Sequence, residues 1–152
     1  MIKRFICIAG LAAVALAASC VQAAVVIPKD LVGIWATPGS TFNGQALLTG
    51  QAMYIDSDGT GASIAGNGND VLGVRFVVTA YKEASHTLHL DLTESRRVIM
   101  STVITWDPEQ KIIYSEKDPS QKFGRRFDQV STEVRKSLGL EVRTLPVEPS
   151  RP

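Results

Sequence analysis

Cysteine and histidine are nearly missing from this 152-residue chain, which has two of each. Both cysteines, Cys7 and Cys20, lie close to the N-terminus, in a stretch with the marks of a removable leader. A domain that loses them has no disulfide, even in an oxidising compartment, and must be held by its apolar core alone. The two histidines, His86 and His89, are three residues apart. On a strand that spacing turns them to opposite faces, so they do not share a metal. A zinc site would have to recruit carboxylates from elsewhere. Neither a metal nor an organic cofactor is expected. Charge of one sign is lacking too: 16 Lys and Arg stand against 15 Asp and Glu. Setting Lys3 and Arg4 aside leaves 14 against 15. Such a balance supplies no field for nucleic acid or an anionic membrane.

The N-terminus reads Met1-Ile2-Lys3-Arg4 and then an apolar run from Phe5 to Ala18. Two cations, a short Ala/Leu-rich core and small residues make a secretory signal peptide over residues 1–23. The run falls short of the roughly 20 residues that span a bilayer, and no later run is longer. Val21-Gln22-Ala23 fits cleavage before Ala24. Leu16-Ala17-Ala18-Ser19-Cys20 resembles a lipobox, in which case Cys20 would carry lipid and anchor the protein to a membrane. The expected location is the periplasm or beyond, in free or lipid-anchored form. The 129 residues after Ala23 suffice for one domain over residues 24–145. The Pro-rich 146–152 is expected to be a flexible tail.

Within that domain, short β runs are broken by turn residues at close intervals, as in all-β folds. The runs are 31–36, 46–55, 61–65, 71–81, 87–92, 98–106, 111–115 and 122–127. Asp58-Gly59 and Asp107-Pro108 supply tight turns. Leu88, Leu90 and Leu92 share one face of their strand while Thr87, His89 and Asp91 share the other, the pattern of a half-buried antiparallel strand. Val74, Phe76, Val78 and Ala80 are expected on one inner face, and Val98, Met100, Ile104 and Trp106 on another. A helix over about 129–138, capped by Asp128 and ended by Gly139, carries Val130, Val134 and Leu138 at spacings of four and should lie outside the sheet. The fold predicted is an eight-stranded antiparallel up-and-down barrel with one C-terminal helix. The alternative is an antiparallel β-sandwich.

With Gly33-Ile34-Trp35 in the first strand and a helix after the last, this layout resembles the calycin superfamily, lipocalins in particular. The resemblance implies that a late arginine packs across Trp35, and Arg125, on the predicted face of Phe123 and Phe127, is the candidate. Gly33, Trp35 and Arg125 would then form a structural barrel-end pair, with guanidinium stacked on indole. The turn Trp106-Asp107-Pro108 stands where lipocalins have Thr-Asp-x-x-Tyr, so the resemblance implies a barrel more than an activity.

The remaining motifs have simpler readings. Asp56-Ser57-Asp58-Gly59 begins like a calcium loop but lacks the later bidentate carboxylate, and reads as a hairpin turn. Ala65 to Gly73 resembles one calcium-binding nonapeptide, whose ion needs a second stacked copy; it reads as an Asn/Gly-rich loop. Ser85 and Ser95 sit in turns rather than a nucleophile elbow. The function expected is therefore a non-catalytic binding protein of the bacterial envelope. It would take a small apolar ligand at a mouth lined by Phe42, Met53, Tyr54, Phe76 and Met100, or engage a protein partner through its loops, as an inhibitor or immunity protein does. An envelope hydrolase with dispersed carboxylates is a third reading.

Overall fold

The computed structural model describes residues 25–140. The expected leader, Cys20 and the tail lie outside that range. Within it run β1 (Gly33–Ala36), β2 (Thr41–Asn43), β3 (Ala46–Ile55), β4 (Thr60–Asn67), β5 (Val71–Lys82), β6 (Thr87–Glu94), β7 (Arg97–Asp107), β8 (Ile112–Ser115), β9 (Asp118–Phe127) and the helix α1 (Thr132–Ser137). All pairings are antiparallel, and β1 pairs with both β3 and β9. The sheet therefore closes, and eight strands form the wall. Closure leaves no second sheet to pack against, so the sandwich alternative falls away. β2 is a short flap paired with β3 alone.

Alternation sorts the apolar residues into two cores. Inside lie Trp35, Met53, Ile55, Phe76, Val78, Leu88, Leu90, Leu92, Ile104, Ile113 and Phe123. Outside, Ile34, Ala36, Ala52, Tyr54, Ala62 and Ile64 form a second cluster against Phe42, Phe127, Val134, Leu138 and Leu140. The outer cluster needs α1 as its cover. Each large aliphatic side chain buried there, Ile34 or Leu140 for example, contributes roughly 1.5–3 kcal/mol.

Bulges on β5, β7 and β9 change the faces expected from strict alternation, because one extra residue reverses every side chain beyond it. On β5, Thr79 is the extra residue between the pairs Val78↔Leu90 and Ala80↔His89. Ala80 consequently faces out, and Tyr81 turns in opposite Leu88. On β7, Ile99 is extra between Met100↔Leu92 and Val98↔Thr93, which sends Val98 outward. On β9, Arg126 is extra between Arg125↔Trp35 and Phe127↔Ile34. Phe127 thus leaves the face of Phe123 and Arg125 and joins the outer cluster.

The helix is shorter than expected, and Ser131 caps it rather than Asp128. Ser131 Oγ accepts the Val134 N–H at 3.3 Å. Upstream, the Gln45 side-chain amide donates to the Gln129 carbonyl at 3.1 Å and accepts the Ser131 N–H at 2.7 Å. Those contacts hold residues 129–131 against the β2–β3 turn, so helical turns start only afterwards. Arg135 then anchors α1 to the β3–β4 turn. Its Nε lies 2.5 Å from Asp56 Oδ2 and its Nη2 3.2 Å from Asp58 Oδ2.

Candidate functional site

The two barrel ends differ in chemistry. At one end Trp35 is 1 % exposed, and its indole N–H donates to the Leu31 carbonyl at 3.0 Å. Arg125 Cζ stands 5.9 Å from the indole centroid. Its Nη2 donates to the carbonyls of Val32 (2.7 Å), Lys29 (3.1 Å) and Asp128 (3.4 Å). The guanidinium is met by carbonyl oxygens instead of a carboxylate, a structural use of its charge. Gly33, at φ +133°, passes so close to the Phe127 carbonyl that a Cβ there would overlap it. Nearby, His86 meets Trp106 edge-on at 5.6 Å, and Tyr81 Oη lies 3.5 Å from His86 Nδ1. Burial raises the Tyr81 pKa, and the Glu83 charge adds to the effect. This end is sealed.

The other end is open. Register carries the inner face upward from the sealed layer of Met53, Phe76 and Phe123 to the row Gln51, Ala65 and Leu72 on β3, β4 and β5, and to Met100 on β7, across the barrel from Gln51. These four are exposed despite facing in, Leu72 by 77 % and Met100 by 45 %. β1 stops at Ala36, leaving a gap between β3 and β9 on this side. Gln121 Nε2 bridges it by donating to Gln51 Oε1 at 2.6 Å. Outside the same rim stand Leu48, Val71, Val98 and Ile99, also exposed. Six of the eight large exposed apolar side chains among the described residues therefore surround one opening. Apolar side chains gathered about one opening make it the candidate interaction surface, unlike the isolated exposed Val26 and Val77. An open groove of about 460 Å³ continues down the outer wall beneath α1, lined by Ile64, Gly73, Arg75, Thr93, Ile99 and Leu138.

The five residues expected to line a mouth are not brought together. Met53 and Phe76 face in but lie in the sealed layer, and Met100 stands above them on the rim. Tyr54 neighbours Met53 on one strand and so must face the other way. It lies in the outer cluster, donating to the Gln45 carbonyl at 2.7 Å and accepting the Leu47 N–H at 3.1 Å. Burial raises its pKa, and the bond from Leu47 opposes the rise. Phe42, on the flap, meets Phe127 edge-on at 5.5 Å outside the barrel. Sequence reasoning missed Leu72, Gln51, Gln121 and Ile99. The run Val98-Ile99-Met100 did carry a signal, since three consecutive apolar residues cannot share one face of a strand.

Asp56 and Asp58 both turn to Arg135, and Gly59, at φ +84°, completes their hairpin turn. Asn67 Oδ1 accepts the N–H groups of Asn69 and Asp70, closing the neighbouring loop on itself. Among the described residues no three His, Cys, Asp or Glu side chains gather as a metal set, and no helix is long and apolar enough to cross a membrane.

These observations define the class: a closed eight-stranded antiparallel barrel, plugged at one end and apolar-rimmed at the other. Comparison with protein-family models, curated proteins and solved structures gives no match to any of them.

Proposed function

We propose that this is a non-catalytic binding protein of the bacterial envelope, calycin-like in plan, that takes the apolar part of a small amphipathic ligand into the open end of its barrel. The observation that carries the reading is the rim itself. Leu72 and Met100 face inward yet stay exposed above a sealed apolar floor, Met100 across from an amide pair, Gln51–Gln121. An acyl or aromatic group seated there removes apolar surface from water, at roughly 25 cal/mol per Å². The amide pair offers a donor and an acceptor to a polar head. The calycin-like plan draws support from Gly33, Trp35 and Arg125 at the sealed end, and the envelope setting from the leader-like Met1–Ala23.

Titration calorimetry with dodecanoate tests the reading. We expect saturable binding of one molecule per barrel, weakened roughly tenfold or more when Leu72→Asp and Met100→Asp are combined. Absence of saturation, together with no co-purifying amphiphile in native mass spectra of protein from its host, overturns it. A second reading, a protein partner such as an enzyme to be inhibited, is favoured by Leu48, Val71 and Val98, which face out from the same rim.

A further inference from the structure

Strand β7 outruns its neighbour. β6 accompanies it to Arg97, but β8 pairs with it only from Ile104 to Asp107. The next contact on that side is the Val103 carbonyl, which accepts the Glu116 N–H at 3.4 Å from the β8–β9 turn. Beyond Val103, no strand among the described residues lies along this edge as far as Arg97. Arg97, Val98, Ile99, Met100 and Ser101 are all exposed. An exposed apolar edge with open N–H and C=O groups and no proline is a template for another strand.

Backbone groups alternate in direction along a strand, so those of Ser101 point to the open side as those of Val103 do. With Ile99 bulged, the groups of Val98 point there too. We infer that this edge pairs antiparallel with the same edge of a second copy of the chain, with the Ile99–Met100 bulge at the twofold axis and Ser101 opposite Val98 of the second copy. Three features select a second copy over a foreign strand. The open stretch ends at the β8–β9 turn, and the same stretch of a second copy matches it in length. This register also brings Arg96 and Arg97 of the second copy onto a turn that carries Glu116 and Asp118 beside Lys117, and symmetry repeats the contact. Finally, the two-residue Ser95–Arg96 turn, with both φ positive, fixes those arginines at the hairpin tip. Paired in this way, each barrel lies beyond the tip of the other's β6–β7 hairpin, and the two apolar openings face one another.

Sedimentation equilibrium of the full chain over the micromolar range tests the inference. We expect a monomer–dimer equilibrium. Arg97→Glu, at an exposed position, should weaken the dimer by roughly tenfold or more, and Arg97→Glu with Glu116→Arg should restore it. Ser101→Pro removes an outward N–H that β6 does not use, and should give a folded monomer with unchanged near-UV circular dichroism. A monomer at every concentration overturns the inference, as does a dimer indifferent to both Arg97→Glu and Ser101→Pro. Dodecanoate binding by the Ser101→Pro chain reads the open end separately, so failure of one proposal is distinguishable from failure of the other.

Discussion

Removing the guanidinium of Arg125 should cost the fold about 2–3 kcal/mol, a figure built from its contacts. Nη2 carries two N–H groups for three carbonyls, so only two full bonds form at once. The 2.7 Å bond to Val32 is part-buried and charge-assisted, worth about 1.5–2 kcal/mol, while its exposed companion adds roughly 0.5. Stacking on Trp35 at 5.9 Å adds about 0.5–1 kcal/mol. The buried Nε has no partner and offsets part of this gain. Arg125→Met keeps the aliphatic stem and discards the charge; Arg125→Ala discards both. Urea unfolding followed by Trp35 fluorescence, in a Trp106→Phe background, measures the difference. Both variants should lose most of the stated energy, with a fall in Tm on the order of 10 °C. If Arg125→Met is within about 0.5 kcal/mol of the parent while Arg125→Ala is not, packing of the stem holds the barrel end and the charge argument is refuted.

Arg135→Ala leaves the Asp56 carboxylate, 6 % exposed, without its cation, and should destabilise the fold by about 2–4 kcal/mol. Urea midpoints should show a smaller loss for Arg135→Ala in an Asp56→Asn background. The folded-state pKa of Tyr54 lies above the ordinary phenol value near 10, so the unfolded chain ionises first. Its contribution is therefore whole below about pH 10 and drains as pH climbs through the raised folded value. Tyr81 acts in the same direction. The urea midpoint of the parent should fall more steeply above about pH 10 than that of Tyr54→Phe, and equal slopes would contradict the assignment. Ser95 sits at φ +49° in a two-residue hairpin turn, and Ser95→Gly should raise stability by roughly 0.5–1 kcal/mol in thermal melts.

Most of the barrel was legible because it rests on period-two burial. Leu88, Leu90 and Leu92 point into one core, and the Asp58-Gly59 and Asp107-Pro108 turns fall between the strands they were expected to join. The bulges on β5, β7 and β9 were not legible. Thr79, Ile99 and Arg126 look like ordinary strand residues, and only the partner strand shows that two residues oppose one. Each hidden insertion misplaced one side chain: Ala80, Val98 or Phe127. The helix start was hidden for a similar reason. Gln45, far away in sequence, takes the polar groups that Asp128 would have organised. The candidate site fared worst: alternation alone turns Tyr54 away from the face of Met53, but Phe42 owes its position to an outer core under α1 that periodicity does not reveal.

Why this barrel is filled at one end and open at the other follows from side-chain size along its inner face. Toward the sealed end stand Trp35, Ile55, Val78, Leu88, Ile104 and Trp106, large enough to meet across the interior. Toward the other end the inward positions become Gln51, Ala65, Leu72, Met100 and Thr102, of which Ala65 and Thr102 are small and Gln51 is polar, while Leu72 and Met100 stay exposed. β4 adds to the asymmetry with Gly61, Ser63 and Ala65 on its inner face. The Phe76 ring lies where a Gly61 Cβ would be, so the last large aromatic is drawn down into the floor. Above that floor the strands end at different heights. β1 and β8 are four residues each, whereas β5 and β7 run twelve and eleven. Short strands beside long ones leave both an opening and a bare edge, and the Val98–Met100 run borders each. One sequence feature, apolar residues carried past the level where the barrel closes, thus underlies both the proposed ligand site and the proposed strand pairing.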